Sequence, residues 1–109
     1  MKQYELWWAD MPDPIGRRPV LLLSRNSAYG YLTGVVVAEV TTTVRDIPVE
    51  VRLGRAEGLR ERSVANLDNV HVIRKSLLRS RIGVLDAPRR VEVKRALGYS
   101  LDWAELKAL

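Results

Sequence analysis

The chain has 109 residues, 47% of them hydrophobic, and a formal net charge of +5 from 18 Lys plus Arg against 13 Asp plus Glu. That length fits a single domain over residues 1–109, and the lack of cysteine excludes disulfides, thiolate catalysis and cysteine-ligated zinc, which suits a reducing cytoplasm. No stretch approaches the roughly 20 apolar residues of a membrane span, no signal-peptide core follows Met1, and the excess of arginine over lysine points to a polyanionic partner.

Tyr4 to Asp10 is short and aromatic and predicts a first strand, closed by a tight loop at Met11–Gly16 with two prolines and a glycine. Strand alternation sends one of Trp7 and Trp8 into the core and the other outward. Pro19–Ser24 is a continuous apolar run of strand length, broken by turn residues at Arg25–Gly30. Leu32–Thr43 is dominated by β-branched residues and predicts a long third strand. Ile47–Leu53 alternates at period two and predicts a half-buried strand with Pro48 near its start and Glu50 and Arg52 on its exposed face. After a polar connection at Gly54–Arg62, Ser63–Leu67 and Val70–Ile73 predict two short strands separated by a turn at Asp68-Asn69. That makes about six strands. Asp86-Ala87-Pro88 signals a helix start, and the apolar spacing of Leu101–Leu106 predicts a second short helix or a continuation kinked at Gly98. Strands first and helix last describe a mainly β fold, a small antiparallel barrel with a C-terminal helix.

The side chains exclude several chemistries. Asp10 and Asp13 flank a loop without further ligands, so no metal site is expected. His71 is the only histidine, which rules out a two-histidine acid/base pair within one chain, and its alternation with Val70 and Val72 predicts a solvent-facing strand residue. Neither a nucleophile elbow nor a glycine-rich phosphate loop occurs. The distinctive features left are Arg17-Arg18-Pro19, entering a buried strand where a guanidinium can face a phosphate, and Thr41-Thr42-Thr43 at the end of the third strand.

In order and spacing these segments resemble the MazF/PemK family of toxin endoribonucleases. The resemblance runs over nearly the whole chain: Leu6-Trp7-Trp8-Ala9-Asp10, Gly16-Arg17-Arg18-Pro19-Val20-Leu21-Leu22-Leu23-Ser24, Glu39-Val40-Thr41, and Val64-Ala65-Asn66-Leu67-Asp68-Asn69-Val70. It implies an SH3-like antiparallel barrel of the CcdB/MazF/PemK type, a homodimer, cleavage of single-stranded RNA without a cofactor or metal, and a cognate antitoxin with a disordered C-terminal segment. It also implies a catalytic pair at Arg18 and Thr41. RNA contacts are implied for Asp13, Ile15, Gly16 and Arg17 in the first loop, for Thr42 and Thr43, and for Asp68 and Asn69. A guanidinium is a poor base, so the group that takes the 2′-hydroxyl proton stays open, as a neighbouring group or water. Trp8, Tyr29 and Tyr31 are candidates for stacking on bases.

Many relatives carry a Ser-Glu-Gln-Gly stretch between the loop glycine and the arginine. Here Gly16 runs directly into Arg17-Arg18, so a short lid is expected. Competing readings on the same fold are a gyrase-inhibiting CcdB-like toxin and a non-catalytic nucleic-acid-binding module. The chain ends Lys107-Ala108-Leu109 and lacks the tryptophan-glycine-isoleucine ending of the gyrase poisons.

Overall fold

Apolar runs too short for helices, rich in β-branched and aromatic residues, build the strands in the computed structural model, which describes residues 1–109. These are β1 (Glu5–Asp10), β2 (Arg17–Leu22), β3 (Gly34–Thr41), β4 (Glu50–Leu53), β5 (Ser63–Arg74) and β6 (Leu78–Val84). They form one six-stranded sheet in the order β4-β5-β3-β2-β1-β6, and every neighbouring pair is antiparallel. Helices α1 (Arg90–Ser100) and α2 (Ala104–Lys107) follow.

The sheet curls, and each face has its own core. Inside the curl, Leu6, Leu21, Val40, Val51, Leu67 and Leu85 pack with Val93 and Ala96 of α1. On the other face Ala9, Val20, Leu22, Val35, Val37 and Ile73 pack beneath Tyr29, supplied by a 3₁₀ turn at Asn26–Gly30. The edges approach each other because the turn after β4 lies against β6. A Cβ at Gly83 would sit 2.1 Å from the Glu57 carbonyl oxygen, and one at Gly58 2.5 Å from that of Ile82, so only glycine allows the contact. The expected barrel is therefore a curled six-stranded half-barrel capped by α1.

Several boundaries differ from expectation. β5 is one strand of 12 residues, not two, and Asp68-Asn69 lies within it as a bulge. The sixth strand is instead Leu78–Val84, where Arg79, Ser80 and Arg81 interrupt any apolar run because this edge strand is largely open to water. β4 begins at Glu50, since the Glu50 N–H bonds the Ile47 carbonyl at 3.0 Å and Pro48 belongs to that turn. Asp86 precedes a 3₁₀ turn at Ala87–Arg89 and makes no side-chain cap, so α1 starts at Arg90. The helix runs through Gly98 to Ser100, and α2 folds back over that glycine, where a Cβ would meet Leu106 Cβ at 2.7 Å.

Candidate active site

Strand pairing assembles the central residues. β2 and β3 pair Leu22 with Val37, Leu21 with Ala38 and Val20 with Glu39. Pro19 has no N–H to extend this ladder, but the same register carried two residues further brings Arg18 opposite Thr41. Arg18 alternates with Val20 and Leu22, and Thr41 with Glu39 and Val37, so all project from the face of the smaller core. The Thr41 hydroxyl oxygen accepts the Thr43 N–H at 3.1 Å, which fixes the hydroxyl and turns the chain as β3 ends.

Glu39 joins this face to β5. It is only 7% exposed in an otherwise apolar strand, where an unpaired carboxylate would cost several kcal/mol. Its oxygens have separate donors: Arg18 Nη1 reaches Oε1 at 3.1 Å, and His71 Nε2 meets Oε2. Both donors reach solvent, with side chains 36% and 41% exposed.

The bulge in β5 makes the histidine contact possible. Ala38 pairs with Val70 but Glu39 pairs with Asn66, so Leu67, Asp68 and Asn69 are extra residues on β5. An odd number of extra residues reverses the alternation. Ala65 and Leu67 face the larger core, whereas Ile73, and His71 with it, face the smaller one beside Glu39. The Asn66 side-chain oxygen accepts the Asp68 N–H at 2.9 Å and holds the bulge, leaving Asp68 and Asn69 exposed.

Arg17 and Thr42 alternate with Arg18 and Thr41 and so project from the opposite face of the sheet, on the side of the larger core. The Arg17 guanidinium lies 4.9 Å from the Trp8 ring centre, a cation–π stack, and with Pro19, Thr42, Leu59 and Arg60 these side chains line a recess of 640 Å³. Trp8 is thus the tryptophan of the recess, whereas Trp7 packs on the smaller core and donates its indole N–H to Glu5 at 3.0 Å. Tyr29 is buried in the smaller core, away from this recess, and Tyr31 is 66% exposed. Asp13 and Ile15 are exposed on the β1–β2 loop. That loop is pinned by the Met11 N–H on the Gly16 carbonyl at 3.1 Å, with Gly16 at φ +70°. The Asp10 carboxylate is taken by Arg79 at 2.6 Å.

The structure thus gathers Arg18, Thr41 and the Asp68-Asn69 bulge on one run of β2, β3 and β5, and turns Arg17 and Thr42 toward the recess with Trp8. Sequence reasoning missed the Arg18–Glu39–His71 chain. Its available signal was an acidic residue two positions before Thr41 in a β-branched run, which needs partners if the strand is buried.

The geometry has close parallels. Residues 2–101 match the family of PemK-like, MazF-like toxins of type II toxin-antitoxin systems. The chain is 38% identical over 99 residues to the probable endoribonuclease MazF5 of Mycobacterium tuberculosis, covering 90% of each. Its fold superposes on the Mycobacterium tuberculosis toxin MazF-mt6 with a TM-score of 0.84 at 35% identity, covering 90% of this chain and 96% of that one. A mycobacterial endoribonuclease in complex with its cognate antitoxin gives a TM-score of 0.82 at 26% identity, covering 94% and 96%. The chain belongs to the PemK/MazF family of type II toxin-antitoxin toxins.

Proposed function

We propose that this chain is a cytoplasmic endoribonuclease toxin that cleaves single-stranded RNA at a short sequence motif, independently of metal and of the ribosome, and is neutralised by a cognate antitoxin. The observation that carries this reading is Arg18, held by Glu39 at the mouth of β2 on the sheet face to which strand alternation also turns Thr41. The named activity of the mycobacterial relatives supports it.

An RNA 2′-hydroxyl lies beside its own phosphate, so the nucleophile is internal and needs no activated water. Its attack on phosphorus expels the 5′-oxygen and leaves a 2′,3′-cyclic phosphate and a 5′-hydroxyl. Negative charge gathers on the nonbridging oxygens in the transition state. Arg18 offers a charged fork to them, and the Thr41 hydroxyl donates a further hydrogen bond. In this reading the RNA crosses the ends of β2 and β3, where Asp13, Ile15, Gly16, Arg17, Thr42 and Thr43 contact it, with Asp68 and Asn69 at its other side. Trp8, already under a guanidinium, supplies a face on which an unpaired base stacks.

The active species is a homodimer. An acidic antitoxin segment, disordered when free, covers the same basic surface and competes with RNA. The test is to incubate the purified protein in excess EDTA with a long single-stranded RNA and map the new ends. Cleavage at a recurring motif with 5′-hydroxyl ends, lost in Arg18→Ala and Thr41→Ala, supports the reading. If several unrelated RNAs survive folded, antitoxin-free protein, the chain is a binding protein or gyrase inhibitor instead.

A further inference from the structure

Resting on the ribonuclease reading above, we propose that His71 takes the 2′-hydroxyl proton during cleavage, and that Glu39 is the positioning residue that holds its ring and Arg18 together. Three observations converge on this. His71 is the only imidazole in the chain, and the Arg18 guanidinium beside it on Glu39 cannot act as a base near neutral pH. The ring is committed through Nε2 to Glu39, while its side chain stays 41% exposed, so Nδ1 is the nitrogen left for a substrate. Finally, the odd-numbered bulge turns His71 out of the strand's earlier alternation and toward the face that carries Arg18 and Thr41.

A neutral imidazole that donates its Nε2–H to a carboxylate carries its lone pair on Nδ1. A carboxylate also orients the imidazole base in hydrolases that use a serine nucleophile, there through Nδ1 with Nε2 left as the base. Glu39 differs in bearing a second load. Its other oxygen accepts from Arg18, so the phosphate-facing guanidinium and the base are fixed by one buried group. Apolar residues in place of a buried ion pair are often as stable or more so, so the charge here is better explained by positioning than by stability. The charged groups brought to the ring are Glu39 on β3 and, through that carboxylate, Arg18 on β2.

In the proposed step the 2′-hydroxyl proton passes to Nδ1 as the 2′-oxygen bonds to phosphorus. The P–O5′ bond breaks with its electron pair on O5′, which takes a proton from water. The imidazolium, facing Glu39, then returns its proton to solvent.

The test uses the full-length protein and a short RNA carrying its mapped motif, under single-turnover conditions. If wild type does not cleave RNA, it is the ribonuclease reading that fails. Given wild-type cleavage, His71→Gln should slow the step by about 10²- to 10⁴-fold and flatten the acidic limb of its pH profile. Binding of an oligonucleotide with a 2′-deoxy sugar at the cleavage site should change by less than about threefold, a difference under roughly 0.7 kcal/mol. Added imidazole should restore part of the rate to His71→Ala. Glu39→Gln should slow cleavage by about 10- to 100-fold and keep a pH-dependent limb. A substrate whose leaving 5′-oxygen is replaced by sulfur separates base from acid: the His71→Gln defect should persist with it. Recovery of the rate on the sulfur substrate, cleavage by His71→Gln close to that of wild type, or a defect accounted for by lost binding would each overturn the proposal.

Discussion

Glu57 and Glu39 are both buried carboxylates, 6% and 7% exposed, and each holds an arginine, yet they do opposite things with it. Glu57 accepts the Gly54 N–H at 2.7 Å and faces Arg89 Nη1 at 3.4 Å. Arg89 is itself fully engaged, with Glu92 at 2.8 Å and the Arg52 carbonyl at 2.6 Å. That arginine ties the start of α1 to the end of β4, and Glu92's hydrogen bond holds its proton more tightly than usual. Glu39 has no backbone donor among its partners, and neither the Arg18 nor the His71 side chain has a further hydrogen-bond partner of its own. A buried acid bonded to backbone and to an occupied arginine closes a seam. One bonded to side chains that have no other partner leaves both of them open to a ligand.

The largest effect that tests this contrast is on activity. Arg18→Ala should lower the cleavage rate by about 10³-fold, roughly 4 kcal/mol of transition-state stabilisation, while unfolding free energy falls by less than in Arg89→Ala because Glu39 keeps His71. A matching loss of thermal stability would show that Arg18 is a structural clip like Arg89. The next effect is on stability. Arg89→Ala leaves Glu57 without its cation, and should lower unfolding free energy by about 1–3 kcal/mol in urea titrations while activity per folded molecule is kept.

Acid should act on the structural carboxylates. Burial alone would raise the Glu5 carboxyl, but bonds from Trp7, Arg81 and the Lys2 N–H together hold it below its ordinary value, and Arg89 does the same for Glu92. Their folded values are lowered, so their contribution is complete above the unfolded glutamate value of about 4.3 and is lost as pH falls through the folded values. Urea midpoints measured at descending pH should fall below that point, and Glu5→Gln should reduce the slope. The smallest effect is at the C-terminus. Gly98→Ala should loosen α2 through its clash with Leu106 and cost at most about 1 kcal/mol, since alanine favours the helix itself, a change visible as faster amide exchange at Ala104–Lys107.

Much of the architecture was legible because strand signals are local. The aromatic opening, the Pro19–Ser24 run and the β-branched third strand each fell close to β1, β2 and β3. β6 was not, because an edge strand that meets water on one face needs few apolar residues, and Arg79-Ser80-Arg81 reads as surface. Arg18 and Thr41 stood out by position, and the strand register sets them on one face. The Glu39–His71 contact was hidden for a different reason. It joins residues 32 apart in the chain, and the alternation with Val70 and Val72 gave His71 as solvent-facing, whereas those valines are themselves exposed and His71, though partly open, lies against Glu39. Asp68-Asn69 did signal a break in regularity, but its form is set by pairing with β3, which no local pattern contains.

That bulge also governs which changes in length this family of sites tolerates. With three extra residues between Asn66 and Val70, losing or gaining one would send His71 and Ile73 to the opposite face together, emptying the smaller core of one and the site of the other. Losing or gaining two would keep both where they are. Among descendants of this sequence, insertions and deletions at Leu67–Asn69 should therefore survive in even steps, and a lineage that crosses to an even-sized bulge would lose the contact between His71 and Glu39.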